Sequence, residues 1–209
     1  MASSTDNSNG MAGQAVSYND ASLFQFLIRQ QLASVRTCML SVVKEVKNNG
    51  GVEPVGYVDV QLLVGQTDNI NNVIPHGVIY NVPYLRLQGG KNAIIIDPEV
   101  GDIGLAIFAD RDISAVKRSK KASPPGSKRK HDISDALYIG GLLNGAPEQY
   151  IRFYDGGIEI KSPTQITIDS PNVTINGSLT VTEDATIKGI NFSSHRHKES
   201  EGGITDGPQ

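Results

Sequence analysis

The feature that most constrains this chain is a run of short alternating segments between residues 156 and 192, GIEIKSPTQITIDSPNVTINGSLTVTEDATIKGINF. Apolar residues recur two apart in Ile158-Glu-Ile160, Ile166-Thr-Ile168, Val173-Thr-Ile175, Leu179-Thr-Val181 and Ala185-Thr-Ile187. In an extended backbone both members of each pair share a face, and the Glu or Thr between them takes the other. Turn-forming pairs separate the runs: Ser162-Pro163, Ser170-Pro171, Asn176-Gly177, Glu183-Asp184 and Lys188-Gly189. Short strands repeating in this way predict a β-solenoid or β-prism.

One copy of the stretch has a packing problem. Each strand offers a single apolar stripe, no helix follows to cover it, and Phe192 is its only aromatic residue. A ribbon this thin is not stable alone in water. It can widen into a single-chain solenoid, or three copies can wrap around a shared axis. The strands are too short for the first solution, so the sequence favours the second. Ile158, Ile160, Ile166, Ile168, Val173, Ile175, Leu179, Val181 and Ile187 would then fill a common core. Closed pairing around the axis would leave little free strand edge.

Composition narrows the function classes. Aromatic content is 6% with no Trp, against 22 glycines, which suits turns and thin strands better than a thick enzyme core. A net charge of −3 calls for neither nucleic acid nor an anionic membrane. The lone Cys38 excludes an intrachain disulfide. The opening residues, MASSTDNSNG, do not read as a secretion signal, and no apolar stretch reaches the length of a membrane span. A chain made soluble in a cytoplasm is expected.

Taken in order, residues 1–20 are rich in Ser, Asn, Gly and Ala and are expected to lack fixed structure. Residues 21–36 carry Phe24, Leu27, Ile28, Leu32 and Val35 at helical spacing, with Asn19 or Asp20 as N-cap. This predicts a helix docked on its own domain or on a sister chain. From residue 37 the period changes to two. Cys38, Leu40 and Val42 form one face, the Asn- and Gly-rich residues 48–51 make a turn, and Val58, Val60, Leu62 and Val64 form the return strand. Residues 76–87, 92–96 and 103–109 read as further strands. Five strands between 37 and 116 without intervening helices predict a small OB-fold-like barrel.

OB barrels often bind nucleic acid, but residues 37–116 hold five Lys or Arg against nine Asp or Glu, a net of −4. A single-strand binder needs a basic groove with stacking aromatics, so a docking collar is the better reading. Residues 117–155 read as a basic loop and connector. Within them KRSKKASPPGSKRK, residues 117–130, carries seven basic residues and no acid. Broken by Pro124-Pro125-Gly126, it is expected to be a solvated loop.

One motif carries chemistry: Ser194-His195-Arg196-His197, directly after the repeat. In an extended backbone His195 and His197 share a face and Arg196 takes the other. On one chain two ligands are too few. Around a three-fold axis they become six imidazoles, an octahedral set that suits iron, cobalt or nickel better than tetrahedral zinc. With no open position, such a site would be structural. His76 and His131 are expected to be local hydrogen-bonding residues, and no nucleophile elbow, phosphate loop or zinc-protease helix is present.

The barrel, VGDIGLAIFADRDI at 100–113, KRKHDISDALYIGG at 128–141, the β-repeat and the terminal SHRHKESEGGITDGPQ together resemble the Mu-type baseplate spike proteins of contractile-tailed phages. The resemblance runs from about residue 40 to the end. It implies an all-β homotrimer: an OB-fold-like domain over 37–116 docked on a baseplate hub protein, a triple-stranded β-helix over 156–192, and a metal-binding apex over 193–209. It further implies one iron ion per trimer, held by His195 and His197 of three chains; some members of that family hold further ions in the apex. The expected role is a tail-tip spike in the virion that punctures the host outer membrane, without enzymatic activity, nucleic acid or a small-molecule substrate. Two other classes compete: a trimeric receptor-binding fibre, and an OB-fold nucleic-acid binder using residues 117–130 as its arm.

Overall fold

The structure, a computed structural model, describes residues 20–48, 51, 52, 56–68, 70–197, 202 and 204. The chain divides into two compact units, Met1–Ala146 and Pro147–Gln209. The unstructured tail expected over 1–20 lies outside the described residues up to residue 19.

Helix α1 spans Asp20–Ala33. Its stripe is exposed along the chain, with Phe24 at 64% and Leu32 at 63%. Among the described residues, none packs over this stripe closely enough to bury it.

The first unit is built on a five-stranded antiparallel sheet. Its strands are β1 (Cys38–Lys47), β2 (Tyr57–Leu62), β5 (Val78–Pro83), β8 (Ile103–Phe108) and β9 (Ala136–Gly140), in the order β5-β2-β1-β8-β9. Strand β1 is long because it serves two partners. Residues 38–42 pair with β8, residues 41–47 pair with β2, and a register shift falls between Val43 and Glu45. Such an irregularity sharpens strand twist, and the sheet curls into a half-barrel. At one point its edges meet: Tyr84 bridges Tyr138, and the Leu85 N–H donates to the Tyr138 carbonyl at 2.9 Å.

The concave side holds Val43, Val58, Val60, Leu62, Ile79, Val82, Tyr84, Ala106, Phe108, Ala136 and Tyr138. Each fully buried side chain of this size contributes about 1.5–3 kcal/mol. Tyr138 is 1% exposed, and burial pushes its phenol up to about 12. It lies over Gly104, where a Cβ would sit 2.7 Å from the Tyr138 ring and clash with the Ile139 carbonyl. Glycine at 104 is therefore a packing requirement.

Four expectations are corrected. Cys38, Leu40 and Val42 do not form the core face of β1; Ser41 and Val43 are buried, with Met39 packed beside them. Both faces of β1 are apolar enough to fit, and a one-residue phase error reverses the side. Ser41 is tolerated in the core because its hydroxyl donates to the Gly104 carbonyl at 3.4 Å. Next, the fifth strand of the sheet is β9, drawn from the 117–155 segment read as a connector. Residues 92–94 instead form β7 (Asn92–Ile94), paired only with β6 (Leu87–Gly89) in a separate ribbon. The run read as one strand over 76–87 breaks after Pro83. Finally, β2 ends at Leu62, leaving Val64 at 60% exposure. A small ribbon, β3 (Gln66–Thr67) with β4 (Val73–Ile74), follows it.

The second unit opens with a hairpin of β10 (Tyr150–Tyr154) and β11 (Gly157–Lys161). Its two faces differ in kind. On one, the Tyr150 hydroxyl donates to Glu159 at 3.1 Å, Lys161 lies over the Tyr150 ring and Arg152 over the Tyr154 ring. On the other, Ile151 faces Ile160 and Phe153 faces Ile158, all of them exposed. Residues 162–185 follow without strand pairing. The unit ends in a ribbon of β12 (Thr186–Ile187) and β13 (Ile190–Asn191). Lys188 and Gly189 between them have φ of 51° and 78°, as a two-residue type I′ hairpin turn requires.

Candidate metal centre and surrounding sites

The β12–β13 ribbon sets the position of the histidines. At its open end the Asp184 carboxylate accepts from the Ala185 N–H at 2.7 Å, the Ser193 N–H at 3.3 Å and the Ser193 hydroxyl at 2.8 Å. The Ser193 hydroxyl bond holds the Asp184 carboxyl below its usual range. The Phe192 N–H donates to the Ala185 carbonyl at 2.7 Å. The Phe192 carbonyl in turn lies 2.7 Å from His195 Nδ1. A carbonyl oxygen can only accept, so Nδ1 carries the proton and, in the neutral ring, Nε2 keeps its lone pair.

His195 and His197 come together: their ring centroids are 5.0 Å apart at an interplanar angle of 87°. Phe192 packs against His195 at 5.6 Å. Two neighbouring imidazoles, one with Nε2 free to ligate, fit part of a nitrogen-rich set for iron, cobalt or nickel. Among the described residues no group of three or more His, Cys, Asp or Glu converges within one chain. The Gly-Gly-X-Thr part of the apex, at 202–205, lies mostly outside the described residues.

The other two histidines bond backbone carbonyls. His76 Nε2 is 3.1 Å from the Val64 carbonyl, and His131 Nδ1 is 3.2 Å from the Arg36 carbonyl.

Residues 117–130 differ from the solvated loop expected. The run begins inside helix α2 (Ser114–Ser119). Lys117 donates to the Asn81 carbonyl at 2.9 Å and lies over the Tyr57 ring. Arg129 reaches Asp112 at 3.1 Å and Asp135 at 3.2 Å, two carboxylates whose side chains are 3% and 2% exposed. Hydrogen bonds from Ser114 and Ser127, with the Arg129 charge, hold Asp112 down at about 2. The segment is thus pinned at both ends, while Lys120, Lys121, Lys128 and Lys130 are exposed.

The sequence reading also missed two partly buried ion pairs. Lys47 bonds both oxygens of Asp59 at 2.8 and 2.7 Å, and the Asn81 N–H donates to the same carboxylate at 2.9 Å. Arg86 grips Asp97 with bonds of 2.7–2.9 Å, and the Tyr84 hydroxyl donates to it at 2.8 Å. The available signal was a charged residue in an apolar strand, such as Asp59 between Val58 and Val60.

The half-barrel has a counterpart among known proteins. Residues 53–141 match the family described as phage protein Gp138 N-terminal domain. The match covers β2 through β9 and stops one residue beyond the last strand of the sheet. It points to a phage structural protein, and so to a place in the virion. No curated protein matches the chain.

Proposed function

We propose that this chain is the central spike of a contractile phage tail, a homotrimer that pierces the host outer membrane when the tail contracts. The observation that carries this reading is the exposed apolar ribbon. Ile158, Ile160, Ile166, Ile168, Val173, Ile175, Leu179, Val181 and Ile187 are each between 49% and 70% exposed in a single chain. A soluble chain does not keep nine aliphatic residues at regular spacing in water without a partner. Three copies around one axis bury all of them and pair the strand edges.

In this reading the half-barrel is an OB-fold-like collar that docks on a baseplate hub protein. The ribbon is a triple-stranded β-helix that carries axial load. The protein acts mechanically, as no step calls for a catalytic residue. His195 and His197 of three copies hold one iron ion, which would tie the three strand ends together where fraying is worst. The chain's residues do the rest: the Phe192 carbonyl orients His195, and the ribbon fixes the strand spacing.

Immunogold labelling of intact virions with antibodies to residues 147–197 tests the role. Label at a single point on the distal tail axis supports a spike. Label on peripheral fibres supports a receptor-binding fibre, and absence of label from the virion contradicts both.

A further inference from the structure

We propose that Asp184 is a positioning residue for metal binding by His195, acting through Ser193 and the Phe192 carbonyl. This rests on the reading of His195 and His197 as metal ligands. The chain of contacts is continuous. One Asp184 carboxylate oxygen takes the N–H groups of Ala185 and Ser193, and the other takes the Ser193 hydroxyl. Asn191 Oδ1 accepts from the same Ser193 hydroxyl at 2.9 Å and from the Ser193 N–H at 3.1 Å. The clamp closes the two ends of the β12–β13 ribbon over one turn, with Phe192 between them.

Phe192 is held on both sides of its peptide. Its N–H is bonded to Ala185, and its carbonyl to His195 Nδ1. With the ribbon end closed, the carbonyl has one direction, and the imbalance between the two ring nitrogens of His195 follows from it. Hydrogen bonds that fix a ligating imidazole's tautomer and orientation typically change metal affinity by about 10–100-fold when lost. Asp184 bonds Ala185 and Ser193, and its effect on His195 runs through this relay.

The test uses the full-length protein, loaded with ferrous ion and then challenged with a chelator. Asp184→Ala should weaken ferrous binding by about 10–100-fold, while Asp184→Asn, which keeps an oxygen for the two N–H donors, should recover most of it. Ser193→Ala removes only the hydroxyl link and should shift affinity the same way by less, which keeps the test valid should Asp184→Ala misassemble. A second readout separates positioning from bulk stability. In metal-free protein labelled with 15N-histidine, the proton–nitrogen correlation of His195 should report protonated Nδ1 in the wild type. It should report mixed tautomers in Asp184→Ala, at unchanged assembly mass. Ferrous affinity and tautomer both unchanged in Asp184→Ala would overturn the proposal and leave the metal reading standing. A wild-type protein that holds no metal would overturn both.

Discussion

Phe153 and Ile158 face each other across the β10–β11 hairpin, and their side chains are 75% and 64% exposed. On the opposite face of the same hairpin the tyrosines, Arg152, Glu159 and Lys161 satisfy one another. In the proposed trimer the exposed side is the face that the other copies cover. Replacing Ile158 by Asp places a charge there, and burial of an unpaired charge is costly enough to block association. The Ile158→Asp protein should sediment as a monomer or aggregate, with the circular-dichroism signature of the half-barrel retained. An unchanged assembly would mean that Ile158 lies outside the shared core.

The packing of Tyr138 on Gly104 gives a stability prediction independent of assembly. Tyr138→Ala leaves a cavity in the half-barrel and should cost about 3–5 kcal/mol, as loss of a buried aromatic side chain does. Gly104→Ala drives a methyl group into the Tyr138 ring and the neighbouring strand, and should cost about 1–3 kcal/mol. Denaturant titration of a 20–146 fragment measures both. Near-neutral values would place the core elsewhere.

The pinned basic segment predicts a pH response. The folded-state Asp112 carboxyl lies at about 2, below its ordinary 3.8, so its contribution is fully present above about pH 4. The contribution is lost as the pH falls from there toward 2. Asp112→Asn should flatten that part of the stability curve. Neutralising the exposed Lys120, Lys121, Lys128 and Lys130 should instead change stability by no more than about 0.5 kcal/mol. Thermal melts across pH 2–6 check both, and equal acid sensitivity in wild type and Asp112→Asn would refute the latch.

The sequence made some of this legible and hid the rest for identifiable reasons. The alternating pairs after residue 156 and the His195-X-His197 spacing are local signals; strands form at 157–161 and 186–187, residues 162–185 show no strand pairing, and the two imidazole centroids lie 5.0 Å apart. Strand β1 misled because Cys38, Leu40 and Val42 are as apolar as Met39 and Val43, so period alone could not choose a face. Strand β9 was hidden because residues 136–140 follow a basic, proline-broken segment, and only the sheet reveals that they complete it. Asp59 stands out in sequence only as a charge within an apolar strand, and Arg129 looks like an ordinary surface charge. Their partners, Lys47 and Asn81 for one and Asp112 and Asp135 for the other, are brought close by folding rather than by sequence spacing.

The metal gives a stoichiometric prediction. Purified protein should carry about one iron per three chains, by the six-imidazole count. Replacing His195 and His197 together by Ala should remove it while the assembly persists, because the apolar residues from 158 to 187 hold the chains without the ion. The loss should appear as faster proteolysis after about residue 191. Elemental analysis with limited proteolysis reads both effects, and iron retained by the double variant would move the ligands to other residues.

The proposed sharing of one apolar core by three copies is tested by light scattering of the purified protein at micromolar concentration. The predicted result is a single species with the mass of three 22.4 kDa chains, persisting on dilution. A stable, monodisperse 22.4 kDa monomer would contradict it.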